Sequence, residues 1–377
     1  MKAILALEDG TTFEGNSIGA IGTTTGEMCC DTSVMGYQEI LTDPACKGRI
    51  LAMTYPLIGN YGVCEEDNES NAPQVNGLVV TEIARLHSNW RATEAIEPWL
   101  KRHNIIGISG IDTRKIATLQ RTGGALRCCI STELTADEAI EAAKNAPLTE
   151  NSDLVSKVTC SEPYHWEGES LAWKLPNKTQ GDLSTYRELP PVSYKVVVYD
   201  LGVRRSTLSS LRQAGCDVTV VPSTHTAEDT LALRPDAVVI SDGPGAPNLL
   251  TSTIAEVKTL SEKLPVAGIG LGSLVLAISM GAATRKLRVG HQGCNQPVKN
   301  QITGKVDITT QNSLFAIETN SLPADVSVTA VNLNDDTVAA YHHTDKPLFG
   351  VQYVPGSSFC NELVQTIKDV KAGKFNS

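Results

Sequence analysis

The sequence predicts an α/β protein of two domains: a mixed α/β unit over residues 1–150 and, after a linker over 151–192, a mostly parallel sheet covered by helices over 193–377. Three observations lead there. A chain of 377 residues exceeds the usual size of one core. From Tyr194 onward, short apolar runs alternate with amphipathic segments, the pattern of parallel strands buried on both faces by helices. Finally, the glycine-rich run Gly268-Ile269-Gly270-Leu271-Gly272-Ser273 follows an apolar strand over 265–269 and has the shape of a strand-to-helix elbow.

Taken in order, the opening Met1-Lys2-Ala3-Ile4-Leu5-Ala6-Leu7 is too short for a secretory segment and runs into Glu8-Asp9-Gly10, a hairpin-turn signal. Arg49-Ile50-Leu51-Ala52-Met53 and Gly77-Leu78-Val79-Val80 read as strands. An amphipathic helix is expected over 92–103, with Ile96 and Leu100 on its packed face. Another is expected over 135–145, capped by Thr135 with Asp137 and Glu138 in its first turn. Pro163, Pro176, Pro190 and Pro191 mark the polar linker. Strands over 195–199, 217–221 and 237–241 then alternate with helices over 205–214, 226–233 and 253–264, and a further helix starts near Ser273. The apolar run 266–283 is long enough to raise a membrane span, yet its glycines fit a buried strand-turn-helix better.

With 32 basic and 42 acidic residues the net charge is −10, which argues against a partner held through nucleic-acid phosphates. The ten cysteines include the adjacent pairs Cys29-Cys30 and Cys128-Cys129 and show no zinc spacing, so reduced thiols in a cytoplasmic protein are expected. No targeting segment, transmembrane helix or Gly-x-x-x-x-Gly-Lys-Ser/Thr phosphate loop is read.

Longer motifs are more specific. Leu7-Glu8-Asp9-Gly10, Gly36-Tyr37-Gln38-Glu39-Ile40-Leu41-Thr42-Asp43-Pro44, Thr54-Tyr55-Pro56-Leu57-Ile58-Gly59-Asn60-Tyr61-Gly62 and Gly107-Ile108-Ser109-Gly110-Ile111-Asp112-Thr113-Arg114 occupy the first domain. Tyr199-Asp200-Leu201-Gly202-Val203-Arg204, Ser241-Asp242-Gly243-Pro244-Gly245 and Gly290-His291-Gln292-Gly293-Cys294-Asn295-Gln296-Pro297 continue in the second. In this order they resemble the small subunit of carbamoyl phosphate synthetase, whose C-terminal domain is a class I glutamine amidotransferase. General amidotransferases lack the first domain.

The resemblance implies an elbow reading Gly-Ile-Cys-Leu-Gly-His-Gln and a late His-Pro-Glu. Here Gly270 stands at the cysteine, Ser273 at the elbow histidine and Leu274 at its glutamine, while Val354 and Gly356 replace the catalytic histidine and glutamate. Glutamine hydrolysis needs a thiolate, an imidazole and a carboxylate that orients it. All three positions are degenerate, so no glutaminase activity is expected.

The implied substrate pocket has changed as well. Its positions are Ala45 in place of a serine, Gly243 and Gly245, Leu271 and Leu274, and Asn312-Ser313-Leu314-Phe315, with Leu314 where the family has a glycine. Among substitute nucleophiles, Ser273 reads as a helix cap, Cys294 and Cys360 as buried or incidental thiols, and His342 and His343 as a surface or linker-facing pair. Losses spread over four separated segments point to long-standing loss of hydrolysis.

The leading expectation is therefore a non-hydrolytic small subunit that binds a carbamoyl phosphate synthetase large subunit and supports synthesis from free ammonia. The resemblance places ATP and Mg in that partner and no cofactor or metal in this chain, and leaves the arginine and pyrimidine pathways open. A free-standing binding or regulatory pseudoenzyme is the alternative; a conventional glutamine-hydrolysing subunit comes third.

Overall fold

The computed structural model describes residues 1–168 and 189–375. The first domain is a closed barrel. Its strands are β1 (Lys2–Leu7), β2 (Thr12–Gly19), β3 (Thr23–Asp31), β4 (Arg49–Met53), β6 (Gly77–Val79), β8 (Ile106–Ser109) and β9 (Arg127–Ser131), joined in the order β1-β2-β8-β6-β4-β3-β9. A two-stranded pair, β5 (Leu57–Ile58) and β7 (Glu82–Ile83), and helices α1 (Tyr37–Thr42), α2 (Ile96–Arg102), α3 (Thr113–Gly123) and α4 (Ala136–Lys144) surround it. Every residue of β4 is buried because both faces are covered: Ile50 and Ala52 enter the cluster of Leu5, Leu7 and Ile108, while Leu51 and Met53 pack with Leu41, Trp99 and Leu100.

The expected hairpin forms at Gly10, which takes φ 92, with the Thr11 amide donating to Asp9 Oδ1 at 2.8 Å. Thr135 caps α4 in a capping box with Glu138. The helix expected over 92–103 begins only at Ile96, because Glu94 is extended and bridged to Val63.

The second domain is one sheet. Its strands are β10 (Tyr164–Trp166), β11 (Tyr194–Asp200), β12 (Cys216–Pro222), β13 (Ala237–Ile240), β14 (Val266–Ile269), β15 (Thr284–Asn300), β16 (Val306–Ile317), β17 (Val326–Asn332), β18 (Val338–His343) and β19 (Leu348–Val351). They run in the order β10-β12-β11-β13-β14-β19-β18-β17-β15-β16. The five from β12 to β19 are parallel. Beyond β19 the sheet continues antiparallel as far as β16, an extension the sequence reading did not contain.

Helices α5 (Arg205–Gln213), α6 (Ala227–Ala232), α7 (Thr251–Ser261), α8 (Leu271–Ser279) and α9 (Ser357–Lys371) cover the faces. Val196 and Val198 pack with α5 and α9 residues, whereas Val197 and Tyr199 pack with Val257 and Leu276 of α7 and α8. That two-sided burial explains the unbroken apolar run.

Of the span 151–192, residues 169–188, with Pro176, lie outside the described residues. The rest is not a free tether: β10 pairs antiparallel with β12, and Val155 joins the core of the second domain. Among the described residues no helix is long and apolar enough to cross a membrane.

Candidate functional site

The elbow forms where β14 ends. Gly270 takes φ 49 and ψ −115, a backbone state that residues with a Cβ rarely occupy. Its amide donates to Val351 O at 2.8 Å, tying the turn to the end of β19. The turn is also tight: a Cβ on Gly272 would lie 2.2 Å from Ile240 O. α8 starts at once, at Leu271, two residues before the expected start. Ser273 is therefore not a cap but a first-turn residue, fully buried, whose Oγ accepts from Gln352 Nε2. Elbow geometry is complete and its apex bears no side chain.

The space above the apex is filled by Asp242, two residues past β13. A Cβ on Gly270 would meet Asp242 Oδ1 at 2.1 Å and Cγ at 2.4 Å. Oδ1 accepts from the Gly243 amide at 2.8 Å and from the Leu271 amide at 3.0 Å. The amide after an elbow apex, paired with one from a neighbouring loop, is the arrangement that stabilises an oxyanion in acyl transfer. Burial pushes the Asp242 carboxyl up to about 6 against the pull of Arg204, whose Nη2 is 3.7 Å away.

Arg204 is aimed by its own loop, where Asp200 Oδ1 accepts from the Gly202 and Val203 amides at 2.9 and 2.8 Å. It forks onto Asp43 of the first domain, Nε to Oδ1 at 3.0 Å and Nη2 to Oδ2 at 2.6 Å. Asn312 Nδ2 also donates to Asp43 Oδ2, at 2.7 Å, and its Oδ1 accepts from Arg49 Nη1 at 2.8 Å. Asp43, Arg49, Arg204 and Asn312 thus form a buried polar knot across the domain boundary.

Gly243, Gly245, Leu271, Leu274, Asn312, Leu314 and Phe315 do converge, joined by Arg49, Asp242 and Ser313, around a cavity of about 10 Å³. That is room for one water at most. Leu274, Leu314 and Phe315 close it by packing with Ala246 and Tyr341. Ala45 is not in the wall; it is buried in the turn Pro44–Cys46, its amide donating to Asp43 Oδ1 at 3.0 Å.

Val354 and Gly356, the other two positions expected to be degenerate, lie in the loop after β19. Val354 is pinned to β16, its amide donating to Thr310 O at 2.8 Å, while Gly356 is exposed and extended at φ −100, with open space where a Cβ would stand. Gln352 links this loop to the elbow by donating to Gly270 O at 3.1 Å.

Among the described residues no substitute nucleophile stands at the apex. All ten cysteines are free. Cys360 is buried, which pushes its thiol up to about 11, and Cys294 is exposed. Cys46, beside the pocket, is buried and accepts from Asn312 Nδ2 at 3.2 Å; burial holds its thiol well above the ordinary range. Of the two histidines read as a surface or linker-facing pair, His342 is partly exposed and His343 turns its ring inward. The His343 ring is largely enclosed, its Nδ1 accepting from the Asp345 and Lys346 amides at 3.1 Å each and its Nε2 facing Asp325 at 3.1 Å. His342 pairs with Glu362 and stacks on Phe349.

The sequence reading missed Asp242, Asp43, Arg204, Arg49 and Gln352 as site residues. Their signal was faint: Asp43, Arg204 and Asp242 sit inside motifs read for resemblance alone, and only an ionisable residue directly before Gly243-Pro244-Gly245, at the carboxyl edge of a parallel sheet, pointed to a role.

Residues 5–130 match the family model described as the carbamoyl-phosphate synthase small chain, CPSase domain, and residues 197–366 match that of class-I glutamine amidotransferase. The chain is 49% identical over 355 residues to the carbamoyl phosphate synthase small chain of Akkermansia muciniphila, covering 94% of this chain and 92% of that one. It is 46% identical over 360 residues to the protein of the same name from Syntrophotalea carbinolica, covering 95% and 93%, and 43% identical over 357 residues to that from Aquifex aeolicus, covering 94% of each. Likeness at this level spans both domains rather than the amidotransferase half alone. The chain therefore belongs to the carbamoyl phosphate synthase small-chain family.

Proposed function

We propose that this chain is a non-hydrolytic small subunit that docks on a carbamoyl phosphate synthetase large subunit and supports synthesis from free ammonia, with ATP and magnesium chemistry in the partner. The observation that carries the reading is the apex at Gly270: an intact elbow with no side chain, its reaction space filled by the Asp242 carboxylate. Thiolate attack on an amide has no atom to begin from, and neither Val354 nor Gly356 can move a proton or orient one that does. A cavity of about 10 Å³ also leaves no volume for a glutamine side chain. The same closure weighs against a metabolite sensor at this site.

The test is carbamoyl phosphate formation by this chain combined with its large subunit, comparing glutamine with ammonium as nitrogen donor. The reading expects synthesis with ammonium, raised by adding this chain, and none above background with glutamine. Glutamine-driven synthesis would refute it, and an ammonium rate indifferent to this chain would favour a free-standing protein.

A further inference from the structure

We propose that the elbow is a carboxylate-binding site closed by the chain's own residue, with Asp242 as the tethered ligand of a cradle made by the Gly243 and Leu271 amides and Arg204. Two N–H groups converge on one oxygen at 2.8 and 3.0 Å, and a guanidinium stands 3.7 Å from the other. One of those amides opens α8, whose dipole favours an anion there. The groups facing Asp242 are thus cationic or N–H donors, apart from Asp43, which Arg204 already pairs. This inference deepens the non-hydrolytic reading and rests on it for its functional meaning: the seat of the nucleophile is taken, not merely vacant.

Sterics supply an independent argument. With Asp242 Oδ1 only 2.1 Å from where a Gly270 Cβ would stand, a side chain at the apex and Asp242 in its present place exclude one another. A side chain at the apex and the Asp242 plug are alternative structural states. The Asp242 side chain keeps 13% of its surface exposed, so a vacated cradle is reachable from solvent. The ligand class it would take is a small carboxylate of the size removed.

The test uses the intact chain and thermal unfolding, with formate as probe and chloride at equal ionic strength as control. In Asp242→Ala, formate is expected to raise the unfolding midpoint saturably by several degrees, with no such rise in the parent chain. Equal responses in the two, or none in either, would overturn the proposal. The second readout is coupling. Gly270→Ala should lower the midpoint at least twice as much in the parent and in isosteric Asp242→Asn as in Asp242→Ala, where the clashing atoms are gone; equal losses in all three backgrounds overturn the proposal even if one variant accumulates poorly. Neither readout involves carbamoyl phosphate, so this inference and the proposed function can fail separately.

Discussion

At the scale of single residues, the two glycines that the resemblance sets at the catalytic cysteine and glutamate differ physically. Gly270 is held by its positive φ and by the carboxylate above it, whereas Gly356 is extended and faces open space. Gly356→Glu is therefore expected to change stability by less than about 0.5 kcal/mol in urea unfolding and to restore no glutaminase activity. Asp242 governs a pH dependence. Its folded-state pKa, raised from 3.8 to about 6, means that the native state holds a proton the unfolded chain has released, so its contribution favours folding at the acid end and is lost as pH rises through about 6. Asp242→Asn keeps the acceptor for both amides and removes the titration. The stability difference between the two chains should shift in favour of the variant by up to about 3 kcal/mol between pH 4 and pH 7.5, and denaturant titrations at the two pH values measure it. Leu314 acts by bulk alone: Leu314→Ala should cost about 2–4 kcal/mol in the same assay by reopening a packed cluster.

Single elements show which signals a sequence transmits. α4 was legible because Thr135 and Glu138 satisfy each other's orphaned backbone groups locally, and Thr135→Ala should lower stability by about 1 kcal/mol in urea unfolding. The parallel strands were legible because burial on both faces leaves apolar runs such as Val196-Val197-Val198. β10 was not, since Tyr164-His165-Trp166 has two exposed residues and gains its strand state only by pairing with β12. The ribbon of β15 and β16 was missed for a related reason: exposed residues and register shifts break its alternation. The elbow was readable as a turn, but its plug was not, because the contact between Asp242 and Leu271 spans 29 positions and exists only once β13 and β14 lie side by side.

For the whole molecule, the two domains meet through charge as well as shape. Asp43 of the barrel neutralises Arg204 of the sheet domain and holds Asn312, with Arg49 completing the knot. Asp43→Ala strands a buried guanidinium and should cost about 3–5 kcal/mol, with the two domains then melting as separate transitions in calorimetry. The order of the sheet also bears on how the protein is made. β14 and β19, neighbours at its centre, are separated by roughly eighty residues of chain. At ribosomal rates of about 5–20 residues per second, that interval lasts about 4–16 s. Until it ends, the nascent sheet presents β14 as an open hydrogen-bonding edge, and the elbow amide of Gly270 waits for its acceptor at Val351, the last strand residue to be synthesised among those described.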